Sequence, residues 1–246
     1  MDFWKKNCTG CGRCRAVCPQ MVHEIWQDGQ KNCHKVVMER CIRCGKCVTA
    51  CPNHALKMYG REVSAEEIME IVRKDKDFYQ RSGGGFTISG GEPMVQFENL
   101  LDLVKKAKEE EIHVCLDTCG YADTEKYQKI APYVDTFLYD YKITGEEEHK
   151  KYTGVSNRLI LKNLDMLCRN GNQIILRCPI IPGINDKEEH YRMIAGLSEK
   201  YPQITQVNLM TYHDMAKGKA AQIGTTYALS DVKTIEKKKS RRFTKR

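Results

Sequence analysis

After residue 60, short apolar runs alternate with stretches in which apolar residues recur at helical spacing. Ser64 and Glu67 form a capping-box pattern, and the helix that it starts is predicted to place Ile68, Ile71 and Val72 on one face. Further helical patterns and five strand-like runs follow. The helical patterns are Phe97, Leu100, Leu101 and Val104, then Leu161, Leu164 and Leu167; the strand-like runs are GFTIS, HVCLD, TFLYD (136–140), QIILR (173–177) and QVNLM (206–210).

This alternation predicts an α/β fold built on parallel strands. Consecutive strands joined by a helix normally run parallel, and five such units give a parallel sheet or a partial (β/α) barrel. The carboxyl ends of the strands then lie at one edge, where we expect the chemistry. Residues 1–60 break the pattern, because few helical periods occur among them.

Two cysteine runs occupy the segment before residue 60. CTGCGRCRAVCP and CIRCGKCVTACP both follow the spacing C-x2-C-x2-C-x3-C-P, in which three thiolates hold one [4Fe-4S] cube and the fourth serves the other cube. The spacing predicts a small α+β ferredoxin-like domain with two [4Fe-4S] clusters. By this crossed pattern, Cys8, Cys11, Cys14 and Cys51 bind one cluster, and Cys41, Cys44, Cys47 and Cys18 bind the other.

Zinc sites and disulfides are the competing interpretations of these runs. Zinc sites rarely need four cysteines in so short a run, and a doubled spacing is hard to obtain by chance. Soft thiolates suit iron–sulfur chemistry, and Gly10, Gly12 and Gly45 allow a tight backbone curl around the sulfides. Iron–sulfur clusters are therefore the favoured prediction.

Composition and charge set further limits on the 246-residue chain. We predict a ferredoxin-like domain at 1–60, a barrel at 61–229 and a basic tail at 230–246. Thirteen cysteines with no secretory h-region in MDFWKKNCTG predict a cytoplasmic protein, and no apolar run is long enough to span a membrane. Seven of the 40 basic residues lie in the last ten positions, which leaves 33 against 32 acidic residues. We therefore expect no nucleic-acid and no membrane partner.

Polar and charged residues follow the predicted strands. Each has an ordinary explanation, since Asp117 could cap a helix, His213 could be structural, and Gly90-Gly91 could form a turn. Their joint placement favours a zwitterionic ligand with an ammonium, a carboxylate and a positive centre. In strand order, the residues are Ser89-Gly90-Gly91-Glu92-Pro93, Asp117 with Thr118, Asp140-Tyr141-Lys142, Arg177 and His213.

The chain carries, in order, the motifs SGGGFTISGGEPMVQ, LDTCGY, LYDYK, HKKYTGVSN, LRCPIIPGIND and TYHDMAKGK. From about Cys8 to the region of Tyr227, it resembles the glycyl-radical-enzyme activating enzymes of the radical S-adenosylmethionine (SAM) superfamily. The subgroup resembled has a two-cluster ferredoxin-like insert, and pyruvate formate-lyase activating enzyme is its best-known member. The resemblance implies that Gly90, Gly91, Glu92 and Pro93 contact the methionyl amino group of SAM, that Asp140, Tyr141, Lys142, Arg177 and His213 line the rest of it, and that Asp117, Thr118 and Asp140 surround its carboxylate and a monovalent cation.

The resemblance also implies a reaction and partners. A reduced [4Fe-4S] cluster passes one electron to SAM, and the resulting 5′-deoxyadenosyl radical removes hydrogen from a glycine loop of a partner enzyme. The implied partner is a glycyl radical enzyme similar to pyruvate formate-lyase. The two ferredoxin-like clusters would be auxiliary, carrying electrons from a flavodoxin or a ferredoxin.

The catalytic cluster of the family is bound by a C-x3-C-x2-C motif, which this chain does not contain. We therefore expect that an amino-terminal segment with the motif and the first barrel strand is missing, through a misassigned start, a frameshift or a deletion. A third cluster would require that segment, so no catalytic residue is assigned and the chain as given should not cleave SAM. The sequence has three C-x3-C pairs, which start at Cys14, Cys47 and Cys115. Where the third cysteine of the motif would stand, they have Met21, His54 and Ala122 instead.

Two other functions fit part of the sequence. One is a two-cluster electron-transfer protein whose vestigial barrel is only a scaffold or a partner-binding surface. The other is a different radical SAM enzyme that acts on a small molecule, which the GGEP motif alone does not exclude. The combination of YTGVSN, PIIPGIND and YHDMAKGK favours the activating enzymes.

Reconstitution with iron and sulfide tests the cluster prediction. We expect about eight iron atoms per chain, because each of two cubes contains four, and no 5′-deoxyadenosine after SAM and dithionite are added. About twelve iron atoms, or 5′-deoxyadenosine above a no-protein control, would show that the chain binds a further cluster.

Overall fold

The computed structural model describes residues 2–58, 60–215, 218, 220, 229 and 232. These residues fall into two compact units. The sheet unit comprises residues 63–212, and the amino-terminal unit comprises residues 2–62 with the described residues from His213 onward. The predicted basic tail, 230–246, lies outside the described residues apart from Val232. The division into three domains stays a prediction.

Short elements around the cysteine runs form the amino-terminal unit, which has the predicted small α+β fold. They are β1 (Asp2–Phe3), α1 (Arg13–Ala16), β2 (His23–Asp28), β3 (Lys31–Val36), α2 (Lys46–Thr49) and β4 (Leu56–Lys57). β1 pairs antiparallel with β4, and β2 forms an antiparallel hairpin with β3. Gly12 (φ 79°) and Gly45 (φ 77°) precede α1 and α2 in the left-handed conformation that glycine adopts most easily. The two cysteine runs thus fold alike.

The sheet unit alternates helices and strands, which confirms the predicted α/β class. Its elements are α3 (Ala65–Val72), α4 (Lys76–Ser82), β5 (Gly85–Ile88), α5 (Phe97–Glu109), β6 (His113–Thr118), α6 (Thr124–Ile130), β7 (Thr136–Asp140), α7 (Glu146–Thr153), α8 (Arg158–Arg169), β8 (Gln173–Ile180), α9 (Glu188–Lys200) and β9 (Ile204–Thr211). β5 to β9 form one parallel sheet in chain order, so all five predicted strands are present. Among the described residues, no helix combines the length and apolar composition that crossing a membrane requires.

Helices pack against one face of this sheet. Along β6, Val114 and Leu116 are fully buried, whereas Cys115 and Asp117 are half-buried. The same alternation along β7 and β8 buries Phe137, Tyr139, Ile174 and Leu176 in the apolar core with residues of α5, α6 and α8. Because successive side chains of a strand point to opposite faces, the intervening residues lie on the other face of the sheet.

The first helix of the sheet unit confirms the predicted capping box and corrects the predicted apolar face. Ser64 Oγ accepts a hydrogen bond from the Glu67 amide (3.2 Å), and the Glu67 carboxylate accepts one from the Ser64 amide (2.7 Å). Ile71 is 53% exposed, so the face of the helix that contacts the core does not include all three of the residues predicted to share a face. Met69 is fully buried instead, because residues 69 and 72 are one turn apart on the face that contacts the core.

Substituting Gly120 tests how tightly this core is packed beside the end of β6. Gly120 has φ 78°, and a Cβ there would lie 2.1 Å from the hydroxyl of Tyr139. Tyr139 is fully buried and donates a hydrogen bond to the Ile160 carbonyl, so it cannot move aside. We expect Gly120→Ala to lower the free energy of unfolding by roughly 3 kcal/mol or more, measured by denaturant titration.

Gly154→Ala is the matched control. Gly154 has a similar φ of 83°, but no described atom lies within 4 Å of where its Cβ would stand. Only the backbone strain should appear, a loss of about 1 kcal/mol. Equal losses in the two variants would contradict the packing argument.

Candidate functional site

Four charged residues meet at the carboxyl edge of the sheet, on the half-buried face. This charged cluster consists of Asp117 on β6, Asp140 on β7, Arg177 on β8 and Lys142 just after β7. Arg177 Nη1 lies 2.5 Å from Asp117 Oδ1, and Lys142 Nζ lies 3.5 Å from Asp140 Oδ2. Ser89, after β5, donates to Asp117 Oδ2 at 2.9 Å. Residues of four adjacent strands, or of the segments just after them, thus converge as the sequence predicted. The predicted end of the fourth strand at Arg177 is wrong, because β8 continues to Ile180.

Asp140 has an unfavourable environment for a charged carboxylate. Burial raises the pKa of its carboxyl, and the charges of Lys142 and Arg177 oppose the shift only in part. Its Oδ1 atom is buried and has no hydrogen-bond partner among the described residues, and the Nε atom of Arg177 is 3.9 Å away. An acceptor in this position suits a donor or a positive group from a ligand.

The GGEP segment leaves its backbone open beside this cluster. Gly90 has φ 147°, which favours glycine, and no described atom lies within 4 Å of where a Cβ of Gly90 or Gly91 would stand. A ligand could therefore approach this backbone closely. Pro93 follows as the first residue of a short 3-10 turn, where its missing N–H removes no hydrogen bond.

Glu92 fastens this segment to the neighbouring strand. Its Oε1 atom accepts hydrogen bonds from the Met94 amide (3.2 Å) and the Thr118 hydroxyl (2.8 Å). Its Oε2 atom accepts one from the Cys119 amide (2.7 Å). The sequence predicted that this carboxylate faces the ammonium group of a ligand. In the structure it accepts three hydrogen bonds from the protein itself.

Two of the predicted ligand-binding residues lie elsewhere in the sheet unit. Thr118 is buried on the helix-covered face, where its Oγ1 atom lies 2.7 Å from the Tyr127 hydroxyl. Tyr141 is buried, with its hydroxyl 2.9 Å from Thr144 Oγ1 and its ring stacked on His190. His213 is exposed and belongs to the amino-terminal unit. Because Thr118 does not converge with the charged cluster, the predicted monovalent-cation site stays a prediction.

The amino-terminal unit has two cavities, each containing four of the predicted cluster ligands. The first cavity is lined by Cys8, Cys11, Cys14 and Cys51, and the second by Cys18, Cys41, Cys44 and Cys47. This is the crossed grouping that the spacing predicted. Backbone amides also reach ligand sulfurs, from Ala55 to Cys51 Sγ (3.3 Å) and from Arg43 to Cys41 Sγ (3.4 Å). Four thiols and nearby amide donors fit a [4Fe-4S] cluster in each cavity.

Burial affects the protonation of these thiols. It raises the pKa of Cys14 to about 11 and also raises the pKa of Cys47. Without metal, both thiols therefore hold their protons near neutral pH. Because iron binds the thiolate, cluster assembly must displace these protons.

The sequence analysis did not predict a role for two buried histidines beside the first cavity. His34 Nδ1 lies 3.2 Å from Cys8 Sγ, and His34 Nε2 lies 3.0 Å from His23 Nδ1. Burial lowers the pKa of His34 to about 4, with a smaller contribution from His23. The available signal was their position in one hairpin: His23 pairs with Val36 and His34 with Ile25, so both histidines lie on one face.

Comparison with known protein families gives two matches. The family described as the Radical SAM superfamily matches residues 42–194. The family described as the 4Fe-4S dicluster domain matches residues 3–72. The matches cover the charged cluster and both cysteine runs.

Individual proteins show the same similarity. Choline trimethylamine-lyase activating enzyme of Oleidesulfovibrio alaskensis is 37% identical over 231 residues, which cover 92% of this chain and 74% of that protein. Trans-4-hydroxy-L-proline dehydratase activating enzyme of Clostridioides difficile is 40% identical over 225 residues, which cover 91% and 73%. A crystal structure of a domain of pyruvate-formate lyase-activating enzyme from Bacteroides vulgatus is similar in fold, with a TM-score of 0.52, 27% identity and coverage of 63% of this chain and 87% of that chain.

Replacing Glu92 by glutamine tests its internal role. A glutamine has one accepting oxygen, so its amide nitrogen would face either the Cys119 amide or the Thr118 hydroxyl without accepting a hydrogen bond from it. We expect Glu92→Gln to lower the free energy of unfolding by about 1–3 kcal/mol in denaturant titrations near pH 7. Glu109→Gln, at an exposed position of α5, should change it by less than about 0.5 kcal/mol. Equal effects would mean that the carboxylate of Glu92 does not fasten the segment.

Proposed function

Because the chain belongs to the glycyl-radical-enzyme activating enzymes of the radical SAM superfamily, we propose that its sheet unit binds SAM at the charged cluster. We further propose that its amino-terminal unit binds two [4Fe-4S] clusters, one in each cavity. When bound, iron–sulfur clusters and SAM supply one-electron chemistry and a carbon radical that can remove hydrogen from a glycine. The chain thus serves a reaction that installs a radical on a partner enzyme.

The unsatisfied carboxylate of Asp140 is the observation that carries the SAM proposal. Its buried Oδ1 atom lacks a hydrogen-bond partner among the described residues, although Lys142 and Arg177 are nearby. A charged group in such an environment is costly unless a ligand supplies a donor or an opposite charge. SAM carries an ammonium and a sulfonium, so a part of it would satisfy Asp140. The guanidinium of Arg177 and the ammonium of Lys142 would balance its carboxylate.

Gly90 and Gly91 would bind the amino group through their open backbone. Glu92 would hold that backbone in place, because its carboxylate is already bonded to Thr118 and the Cys119 amide. Pro93 would stiffen the same turn, and Asp117 would orient Arg177 through their 2.5 Å contact. The roles proposed for Thr118, Tyr141 and His213 rest on the sequence motifs alone.

The cysteine thiolates that line the two cavities would bind the auxiliary clusters, which would supply one-electron chemistry when bound. A third, catalytic cluster has no fitting residues here, since C-x3-C-x2-C does not occur among the 246 residues. We therefore propose no residue of this sequence as its ligand.

The partner is proposed to be a glycyl radical enzyme. The sequence motifs favour one similar to pyruvate formate-lyase, whereas the names of two similar proteins refer to a lyase and a dehydratase. Flavodoxin or ferredoxin is the proposed electron donor, because the auxiliary clusters take up single electrons. The proposed location is the cytoplasm, where thiol ligands stay reduced.

An electron-transfer protein with a scaffold-like sheet unit is the second candidate. It would have both clusters but no use for the charge arrangement around Asp140. Equilibrium binding of SAM to the anaerobically reconstituted chain separates the two proposals: saturable binding of one SAM per chain supports the first, and its absence at millimolar SAM supports the second.

Asp140→Asn tests the site directly. Loss of the charge-assisted contact should weaken SAM binding at least about tenfold. Because the folded-state pKa of Asp140 is raised, its ionised form costs stability at pH 7. The variant without SAM should therefore have an equal or higher melting temperature, and any gain should fade as the pH falls through the raised folded-state pKa and should be gone below the ordinary aspartate value of 3.8.

Asp102→Asn, at an exposed position of α5, is the control and should change neither the affinity nor the pH dependence. Unchanged SAM binding in Asp140→Asn would remove the charged cluster from the proposal. A lowered melting temperature would instead indicate that Asp140 is mainly a structural ion-pair partner.

A further inference from the structure

We propose that His34 donates a hydrogen bond to the thiolate of Cys8 and thereby raises the reduction potential of the cluster in the first cavity. In this arrangement His23 is a positioning residue, because it holds the ring of His34 in the tautomer that donates to sulfur. The inference deepens the proposed function and rests on its assignment of a [4Fe-4S] cluster to the first cavity.

The contact is made inside the amino-terminal unit. His34 is 7% exposed and lines the first cavity together with the four cysteines. Its Nδ1 atom lies 3.2 Å from Cys8 Sγ, within reach of an N–H···S hydrogen bond, whereas its Nε2 atom is 3.9 Å from Cys14 Sγ. Phe3 packs on the ring at a centroid distance of 4.4 Å and limits its movement.

The chemistry of the sulfur determines where the protons lie. A thiolate bound to iron has no proton to give, so Nδ1 of His34 must donate. A buried ring is more stable neutral, and a neutral ring carries one proton, so Nε2 of His34 accepts. His23 Nδ1, 3.0 Å away, then donates to it. Nε2 of His23 is left without a proton, and it has no hydrogen-bond partner among the described residues.

This hydrogen bond acts on the charge of the cluster. Reduction adds one electron, and therefore one negative charge, to the cube and its four thiolates. A donor aimed at a ligand sulfur is more strongly attracted to the reduced form, which raises the potential. Removing the donor should shift the potential to a more negative value.

The two cavities differ in this respect. The second cavity is lined, besides its cysteines, by Pro19, Gln20, Val22, Ile42, Arg43, Gly45 and Met58. None of these described lining residues is a histidine. Substitution of His34 should therefore affect only one of the two clusters.

A mononuclear metal site is the competing interpretation. Cys14, His23 and His34 offer three ligand atoms that all lie within 4.8 Å of one another. Cys14, however, belongs to the C-x2-C-x2-C run, and the closest histidine–sulfur contact is made to Cys8 instead. An iron–sulfur cluster accounts for the cysteine spacing and for the contact between His34 and Cys8. A mononuclear site bound by Cys14, His23 and His34 does not account for the contact with Cys8.

The test is a redox titration of the full reconstituted chain, followed by electron paramagnetic resonance, with dithionite as reductant. In His34→Phe, the signal of one cluster should move to a more negative potential while that of the other stays in place. His34→Asn keeps an amide donor near the position of Nδ1 and should restore part of the shift. His23→Phe should give a smaller shift in the same direction. His113→Phe, the same substitution in the sheet unit, should move neither signal.

Metal analysis separates the possible failures. About eight iron atoms in the wild-type chain and in His34→Phe, with no change in either potential, would overturn the inference and leave the proposed function intact. Loss of about four iron atoms in both His34→Phe and His34→Asn would overturn it by showing that the ring binds iron. One zinc per wild-type chain that disappears in His34→Phe would overturn it in favour of the mononuclear site. A wild-type chain that takes up no cluster would instead defeat the proposed function.

Discussion

Side chains on a β-strand alternate between two faces, and this alternation organises the sheet unit. Along β6, β7 and β8, one set of residues packs beneath the helices, and the other set includes Asp117, Asp140 and Arg177. Burying the apolar set therefore forces the charged set onto one surface. Because the strands are parallel, their carboxyl ends coincide, and the charges meet at one edge. The core and the candidate site are two results of the same geometry.

The charged cluster and the segment beside it contain two carboxylates in contrasting environments. Asp140 remains half-buried with an unsatisfied oxygen, which raises its pKa, whereas Glu92 nearby accepts three hydrogen bonds. Both carboxylate oxygens of Glu92 thus have hydrogen-bond partners, whereas Oδ1 of Asp140 has none among the described residues. A rigid support beside an unsatisfied acceptor is an arrangement that suits a ligand site, because the support keeps its position when the ligand leaves.

The amino-terminal unit has only a small apolar core, in contrast to the sheet unit. Its buried apolar cluster contains only Cys14, Cys47 and Leu56, with a few half-buried residues packed against it. Domains of about 60 residues bury little apolar surface, and many of them rely on metal to compensate. Two of the three central residues are predicted cluster ligands, so the core of this unit is built in part from the thiols that would bind metal. His34 and His23 add a buried polar pair to the same small core.

The sequence was enough to predict the strands, the parallel α/β class and the grouping of eight cysteines into two sets of four, because strand periodicity and ligand spacing are local patterns. It also indicated which residues lie near the carboxyl edge of the sheet, and Asp117, Asp140, Lys142 and Arg177 do meet there. Strand alternation also places Thr118 and Asp117 on opposite faces, although the motif-based assignment put both at one ligand. Only the folded chain shows the burial of Met69, the internal hydrogen bonds of Glu92 and the approach of His34 to Cys8. Each of these depends on contacts between residues far apart in the chain, which no local pattern records.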